Sequence, residues 1–362
     1  MEQKRLGDIA TYVNGYAFKP EDRGNDGLPI IRIQDLTGNV YDLGFYNGKY
    51  PEKVEINNGD ILISWSASLG VYVWNRGKGL LNQHIFKVVF DKVEVNQQYF
   101  VFAVKYKLKE MESKAHGATM KHIIKKDFDN TMIPFPSLEK QAEIAHILSK
   151  VESIIEAYQQ EIKQLDNLIR ARFAEIFGDL RTNTKGWNIK SFDELTYLIT
   201  DGEHATPRRT TEGIFLLSAR NILNHTLQLD DVDYIDQEEY DRIAKRVIPQ
   251  EGDVLISCSG TVGRCCRVPA DIRFQMVRSA ALIRFKEEIN PVFAEYMITS
   301  DFLQKQINSS KTASSQANLF QGKIKALKGF VPPLDEQNAF ADFVRQVEKS
   351  KIVAETENHT AL

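Results

Sequence analysis

The chain writes one pattern twice, on either side of a single long amphipathic segment. Gly59-Asp60-Ile61-Leu62-Ile63-Ser64 returns as Gly252-Asp253-Val254-Leu255-Ile256-Ser257, 193 positions later. Ser137-Leu138-Glu139-Lys140-Gln141 returns as Pro333-Leu334-Asp335-Glu336-Gln337, at an offset of 196. Upstream, Gly27 and the apolar run 28–36 parallel Gly213 and the run 214–222, at 186. Ordered matches at nearly one offset mean two related folding units on a spacer. Such a chain is built to read two related things at a fixed distance.

A length of 362 residues accommodates two ordinary domains and a connector. With 43% hydrophobic and 26% charged residues the composition is that of a soluble globular protein, not a disordered one. No stretch approaches the roughly 18 apolar residues of a membrane span, and Met1-Glu2-Gln3-Lys4-Arg5 lacks the apolar core of a secretion signal. Cys258, Cys265 and Cys266 are an odd number in one short segment. They form no disulfide framework and lack the paired spacings of a metal site, so reduced thiols and a cytoplasmic location are expected. The net charge of −3 is neutral on nucleic acid as a partner, because binding depends on where the cations lie. The acids crowd into segments such as 230–239, which leaves locally basic loops elsewhere.

The first module reads as 6–135, with short β-like runs at 29–33, 60–64 and 85–90 and a helix at 98–111. The second repeats it over 192–331, with runs at 215–217, 253–257 and 280–285 and helical patterning at 291–306. Strands and helices mix without regular βαβ alternation, which predicts an α+β fold.

Between the modules, Ile144, Ile147, Leu148, Val151, Ile154, Ile155, Tyr158, Ile162, Leu165, Leu168, Ile169, Phe173 and Ile176 recur at alternating spacings of three and four. That seam, about four heptads long, predicts one helix of a coiled coil. Ser137 is its N-cap, Glu139 suits the first turn, and Arg170, Arg172 and Gly178 mark the far end. Some 40 residues make a rod of roughly 60 Å. Phe340, Phe343, Val344 and Val347 repeat Ile144, Ile147, Leu148 and Val151 at the 196 offset, and the match stops at Ser350 and Lys351. Antiparallel pairing of this terminal helix with the central one leaves part of the central seam for another protein to bury.

Gly15-Tyr16-Ala17-Phe18-Lys19 leads to Gly27-Leu28-Pro29-Ile30-Ile31-Arg32-Ile33. The Gly59–Ser64 run, Gly117-Ala118-Thr119-Met120 and Ile133-Pro134-Phe135-Pro136 with Glu139 and Gln141 follow. Then come the exit Phe177-Gly178-Asp179, with Asn183, Gly186 and Trp187, and Asp201-Gly202-Glu203-His204-Ala205-Thr206-Pro207 opening the second module. This ordered set, spanning essentially the whole chain, resembles the DNA-specificity subunit of type I restriction-modification enzymes. The resemblance implies target-recognition domains at 1–136 and 180–332, a central spacer helix at 137–179 and a short second helix at 333–362. Each recognition domain would read one half of a split sequence on double-stranded DNA. The helices would act as a ruler and as a docking surface for modification (methyltransferase) subunits, and through them for restriction subunits. The family subunit is not an enzyme and holds no cofactor: S-adenosylmethionine, ATP and Mg belong to its partners. Family members usually carry a longer second helix than the one running here to Leu362, a departure that bears on symmetric docking of two modification subunits.

The residues themselves offer no catalytic alternative. Gly77-Lys78-Gly79 lacks the upstream glycine and hydroxyl of a nucleotide-binding loop. No Asn/Asp-Pro-Pro-aromatic run is present, and the seven histidines are scattered, so no metal is expected.

DNA reading needs cations and amides at base edges, and cations with small hydroxyls at phosphates. In the first module the candidates are Lys19 and Arg23, then Ser64, Ser66 and Ser68, then Arg76 and Lys78, then Lys114, His116, Thr119, Lys121 and His122 around Gly117. In the second they are His204, Arg208 and Arg209, then Ser259, Thr261, Arg264 and Arg267, then Lys311, Ser314, Ser315, Gln316 and Asn318. Gly59-Asp60 and Gly252-Asp253 read as turns, and Trp65 reads as packing. Similar frames with different loops predict two different half-sites. Half-sites on one face of B-DNA recur about every 34–36 Å, so a rod of this length suits centres about one to one and a half turns apart. Two other readings stay open: self-association, two chains covering each other's seams, and a tandem scaffold that binds proteins alone.

Overall fold

Each half of the chain closes by pairing its first strand with its last. Gln3–Arg5 runs antiparallel to Met132–Pro134, and Asn188–Ser191 runs antiparallel to Lys328–Val331. The structure is a computed structural model that describes residues 2–38, 44–114, 124–310 and 318–360, without the side chains of 111–114, 310 and 353–360. The chain divides into two compact units, 1–156 and 157–362.

In the first unit a four-stranded antiparallel sheet is ordered Thr11–Asn14, Ile85–Val89, Ile61–Ser64, Gly70–Val73. In the second the order is Thr196–Asp201, Ala280–Phe285, Val254–Ser257, Cys265–Arg267, the same sequence of equivalents. A smaller sheet repeats as well: Leu28–Ile31 lies parallel to Gly79–Leu81, and Ile214–Leu217 parallel to Phe274–Met276.

The twin apolar runs follow from the two-residue period of a strand. Ile61 and Ile63 enter a core with Phe86, Phe100 and Phe128, while Leu62 points into a second core with Ile31, Val54 and Trp74. Likewise Val254 and Ile256 face a core with Phe293 and Phe330, and Leu255 faces one with Leu217 and Met276. A strand buried on both faces has no room for polar alternation, hence the unbroken run. The Gly-Asp turns carry structure: Asp60 accepts from Asn57 N at 2.7 Å and pairs with Lys87 at 2.8 Å. Asp253 accepts from Gln250 N at 2.8 Å and pairs with Arg284 at 2.7 Å.

The first unit's helix is Gln97–Lys114. Its counterpart is broken into Pro291–Thr299 and Asp301–Ser310, where a single run over 291–306 is expected. Ser300 is extended there (φ −66°, ψ 150°) and caps the second piece through Leu303 N and Gln304 N.

The central helix spans Leu138–Phe177, starts on Ser137 and ends at Gly178, whose φ of +74° a side chain rarely adopts. Trp187 and Asn183 staple the exit, with Trp187 Nε1 donating to Phe177 O at 3.0 Å and Asn183 Oδ1 accepting from Trp187 N at 2.8 Å. The terminal helix spans Leu334–Thr360. Within the second unit Phe340 lies 5.3 Å from Phe173 and 5.6 Å from Phe177, Arg172 covers Phe343, and Lys351 bonds Asp166. The contacts run in opposite chain directions, so the pair is antiparallel. Ile169, Phe173, Phe340, Val344 and Val347 are buried in that seam, and Leu165, Ile176 and Phe343 pack beside it. Ile144, Val151, Ile155, Tyr158 and Ile162 are half-buried, whereas Ile147, Leu148 and Ile154 are exposed at 51%, 38% and 42%.

Candidate nucleic-acid interface

Three loops meet at one end of each main sheet. In the first unit Gly15 N donates to Ile85 O, Tyr16 N to Leu81 O and Trp65 N to His84 O, at 3.1, 2.8 and 3.2 Å. In the second Gly202 N donates to Ala280 O, Glu203 N to Met276 O and Cys258 N to Ser279 O, at 3.0, 2.8 and 2.7 Å. A Cβ on Gly15 would sit 2.0 Å from Asn82 O, and one on Gly202 2.4 Å from Met276 O, so only glycine lets the first loop cross the third.

The first loop carries Lys19 and Arg23, both exposed, with Lys19 3.9 Å from Glu21. Ser68 is exposed in the second loop. Ser64 is fully buried and donates its hydroxyl to Ser68 O at 2.5 Å, and Ser66 is 5% exposed. Ser64 ties the turn and both serines are buried, which corrects the expectation that they face DNA. Arg76 and Lys78 follow strand Gly70–Val73, whose end lies beside Ile61, so they stand at the opposite end of the sheet from Ser68. Arg76 covers the Trp74 ring and donates to Asp35 O, and Lys78 pairs with Glu55 at 2.8 Å. They serve the turn beside Asn58 instead of joining the loop cluster. Trp65 stacks on Phe86 at 5.6 Å, in a packing role.

In the second unit His204, Arg208, Arg209 and Thr261 are exposed and Ser259 and Arg264 half-buried. Ser259 bridges to Asn318, which fastens the second loop to the stretch matching the Gly117 region. Ser257 repeats the duty of Ser64, donating to Thr261 O at 2.6 Å. Arg267 is a second correction. It stands at the far end of its strand, 2.5 Å from Glu295 and 2.8 Å from Glu348, and Glu295 is buried. Burial pushes the Glu295 carboxyl up, but His225 and Arg267 more than offset that and leave it below its ordinary range. Arg267 therefore joins strand Cys265–Arg267 to helix Pro291–Thr299 and the terminal helix. His116, Thr119, Lys121, His122, Lys311, Ser314, Ser315 and Gln316 lie outside the described residues, as does the side chain of Lys114.

The acids of 230–239 are not set apart from the basic loop; they lie on it. Arg208 pairs with Asp236 at 3.0 Å and Glu238 at 2.8 Å, and Arg209 with Asp233 at 3.1 Å. The hydrogen bond that Arg208 donates to Glu238 is the main cause that raises Arg208 above the usual guanidinium range. His204 bonds Asp201 at 2.6 Å, and Asp201 also holds Arg246. Sequence reasoning missed Arg220, Arg242, Arg246 and Arg278. Arg220 bonds Asp231 and Asp233, Arg242 bonds Glu203 and Glu239, and exposed Arg278 joins the third loop. Arg242 and Arg246 sit far along the chain from Glu203 and Asp201 of the loop they meet, so no local signal marks them. Among the described residues no cluster of His, Cys, Asp or Glu is arranged for a metal, and no helix is long and apolar enough to cross a membrane.

The chain is 24% identical over 375 residues to the type I restriction enzyme EcoBI specificity subunit of Escherichia coli, covering 95% of this chain and 78% of that one. Its fold is similar to the type I restriction-modification S subunit from M. genitalium, with a TM-score of 0.58 at 15% identity over 99% and 92% of the two chains. A chain solved for complex assembly and conformational transition of the type I R-M system gives 0.53 at 13% identity, over 99% and 94%. The type I restriction modification DNA specificity domain model matches residues 1–167 and 219–361, and with the duplicated frame and its paired helices this places the chain in that family of specificity subunits.

Proposed function

We propose that the chain is the sequence-specific DNA-recognition subunit of a type I restriction-modification enzyme, itself without catalysis. Each recognition module reads one half of a split, asymmetric target. Modification subunits dock on the helices and bring S-adenosylmethionine; the restriction subunit, with ATP and Mg, joins through them in the cytoplasm. One observation carries the reading: a single loop-bearing frame is built twice, and the loops it presents differ, Lys19 and Arg23 in one against His204, Arg208 and Arg209 in the other. A frame that holds position while its loops vary is what base-edge reading requires. Exposed Ile147, Leu148 and Ile154 supply an apolar strip for a partner subunit. Long-read methylation mapping in cells that carry this chain with its modification subunit tests the reading. A split, asymmetric motif that needs both proteins is expected. Methylation that stays the same when this chain is deleted would sink it.

A further inference from the structure

Second-module arginines that point out of the frame are held by carboxylates before any DNA arrives. Arg208 Nη2 lies 3.0 Å from Asp236 and 2.8 Å from Glu238; Asp233 is shared, 3.1 Å from Arg209 and 3.2 Å from Arg220. Asp231 stands 3.6 Å from Arg220, so three cations face four carboxylates. The clamp is built into the fold: Arg208 N donates to Glu239, Thr210 N to Tyr234 O, and Asp236 caps helix Gln237–Ala244 through Glu239 N. Arg208 and Arg209 remain 56% and 47% exposed, with further donors free to meet a ligand.

We propose that Asp233, Asp236 and Glu238 are specificity-determining residues that suppress the second module's binding to non-target DNA; this rests on the DNA-recognition reading above. A phosphate offers an arginine the same charge that its carboxylate already gives. Exchanging one for the other gains little on a random duplex, and the displaced carboxylate repels the backbone. The carboxylates thereby cancel the sequence-independent term that dominates non-specific affinity. Base-edge bonds, which only the correct sequence supplies, then decide whether the arginines leave. Separate basic loops would bind every duplex and discriminate less.

The test compares the full chain and its Asp233→Asn/Asp236→Asn/Glu238→Gln variant, each with the modification subunit. The probes are a duplex holding the mapped motif and one with that motif scrambled. Asn keeps the helix cap at 236, and an unchanged melting temperature checks the fold. The variant is expected to bind the scrambled duplex at least threefold more tightly and to lose discrimination by the same factor. Its log affinity should fall more steeply with log salt, by about 0.9 for each phosphate gained. Unchanged scrambled-duplex binding and salt slope overturn the inference and leave the recognition reading standing. Weaker binding to both duplexes also overturns it, because the carboxylates would then only shape the loop. A wild-type complex that binds neither duplex in a salt-sensitive way overturns the inference and the reading together.

Discussion

Gln337 closes the joint between the second recognition module and the terminal helix by accepting from the backbone N–H of Asn290 at 2.8 Å, while its amide donates to Pro332 O at 2.8 Å. Gln141 repeats this on Asn96 N and Pro136 O, at 2.9 and 2.8 Å, and both glutamines are fully buried. The Gln at the end of each repeated stretch is therefore a joint that fixes a helix to its module. Truncating either to Ala strands a backbone donor and acceptor and is expected to cost about 1–3 kcal/mol. Denaturant midpoints of Gln141→Ala and Gln337→Ala check it, and losses below a few tenths would argue against the joint.

Removing Arg267 leaves the buried Glu295 carboxylate without the guanidinium that lies 2.5 Å from it. Arg267→Ala is expected to destabilise the second unit by about 3–5 kcal/mol. Because His225 and Arg267 hold the Glu295 carboxyl below its ordinary value of 4.5, the pair's contribution is fully present above that pH and is lost as pH falls below it. Unfolding followed from pH 6 to 3 should show that acid loss in the native chain, and Arg267→Gln/Glu295→Gln should flatten it. An unaltered acid profile in the double variant would assign the loss to other carboxylates.

All three cysteines are buried, and burial pushes Cys258 up to about 12 and Cys265 and Cys266 up as well. Thiolate is the reactive form, so the native chain is expected to resist alkylation at neutral pH. A thiol reagent followed by mass measurement should count no labelled cysteine in the folded chain and three after denaturation. Fast native labelling would contradict the packing of Cys258 and Cys265 against the core.

Val344 and Leu148 occupy matching positions in the helical repeat but have different surroundings, one fully buried and the other 38% exposed. Phe340→Ala is expected to cost about 3–5 kcal/mol. Ile147→Glu/Leu148→Glu should change stability by no more than about 0.5 kcal/mol yet reduce co-purification with the modification subunit. Retained co-purification would remove this strip from the docking surface.

The sequence alone carried whatever depends on local period and on repetition. The duplicated Gly-Asp strands, the three-and-four seam of the central helix and its limits at Ser137 and Gly178 are legible because each is written in consecutive residues. Strand ends read from apolar runs fell within a residue or two of those observed, and Ala280–Phe285 matched at both ends. The break at Ser300 was illegible because apolar spacing continues across it; side-chain bonds to the preceding carbonyls end the first piece.

Tertiary structure alone decided which cations face outward. Ser64 and Ser257 look like loop hydroxyls but are spent on turns, and Arg267 looks like a loop cation but serves a buried carboxylate. Arg208 and Arg209 are compensated by acids some 24 to 30 positions away. An ion pair depends on distance in space, and a strand pairing folds remote positions together without leaving a local trace. The period of a helix or strand is a property of the chain's own backbone, so sequence specifies it; charge compensation belongs to the assembled sheet.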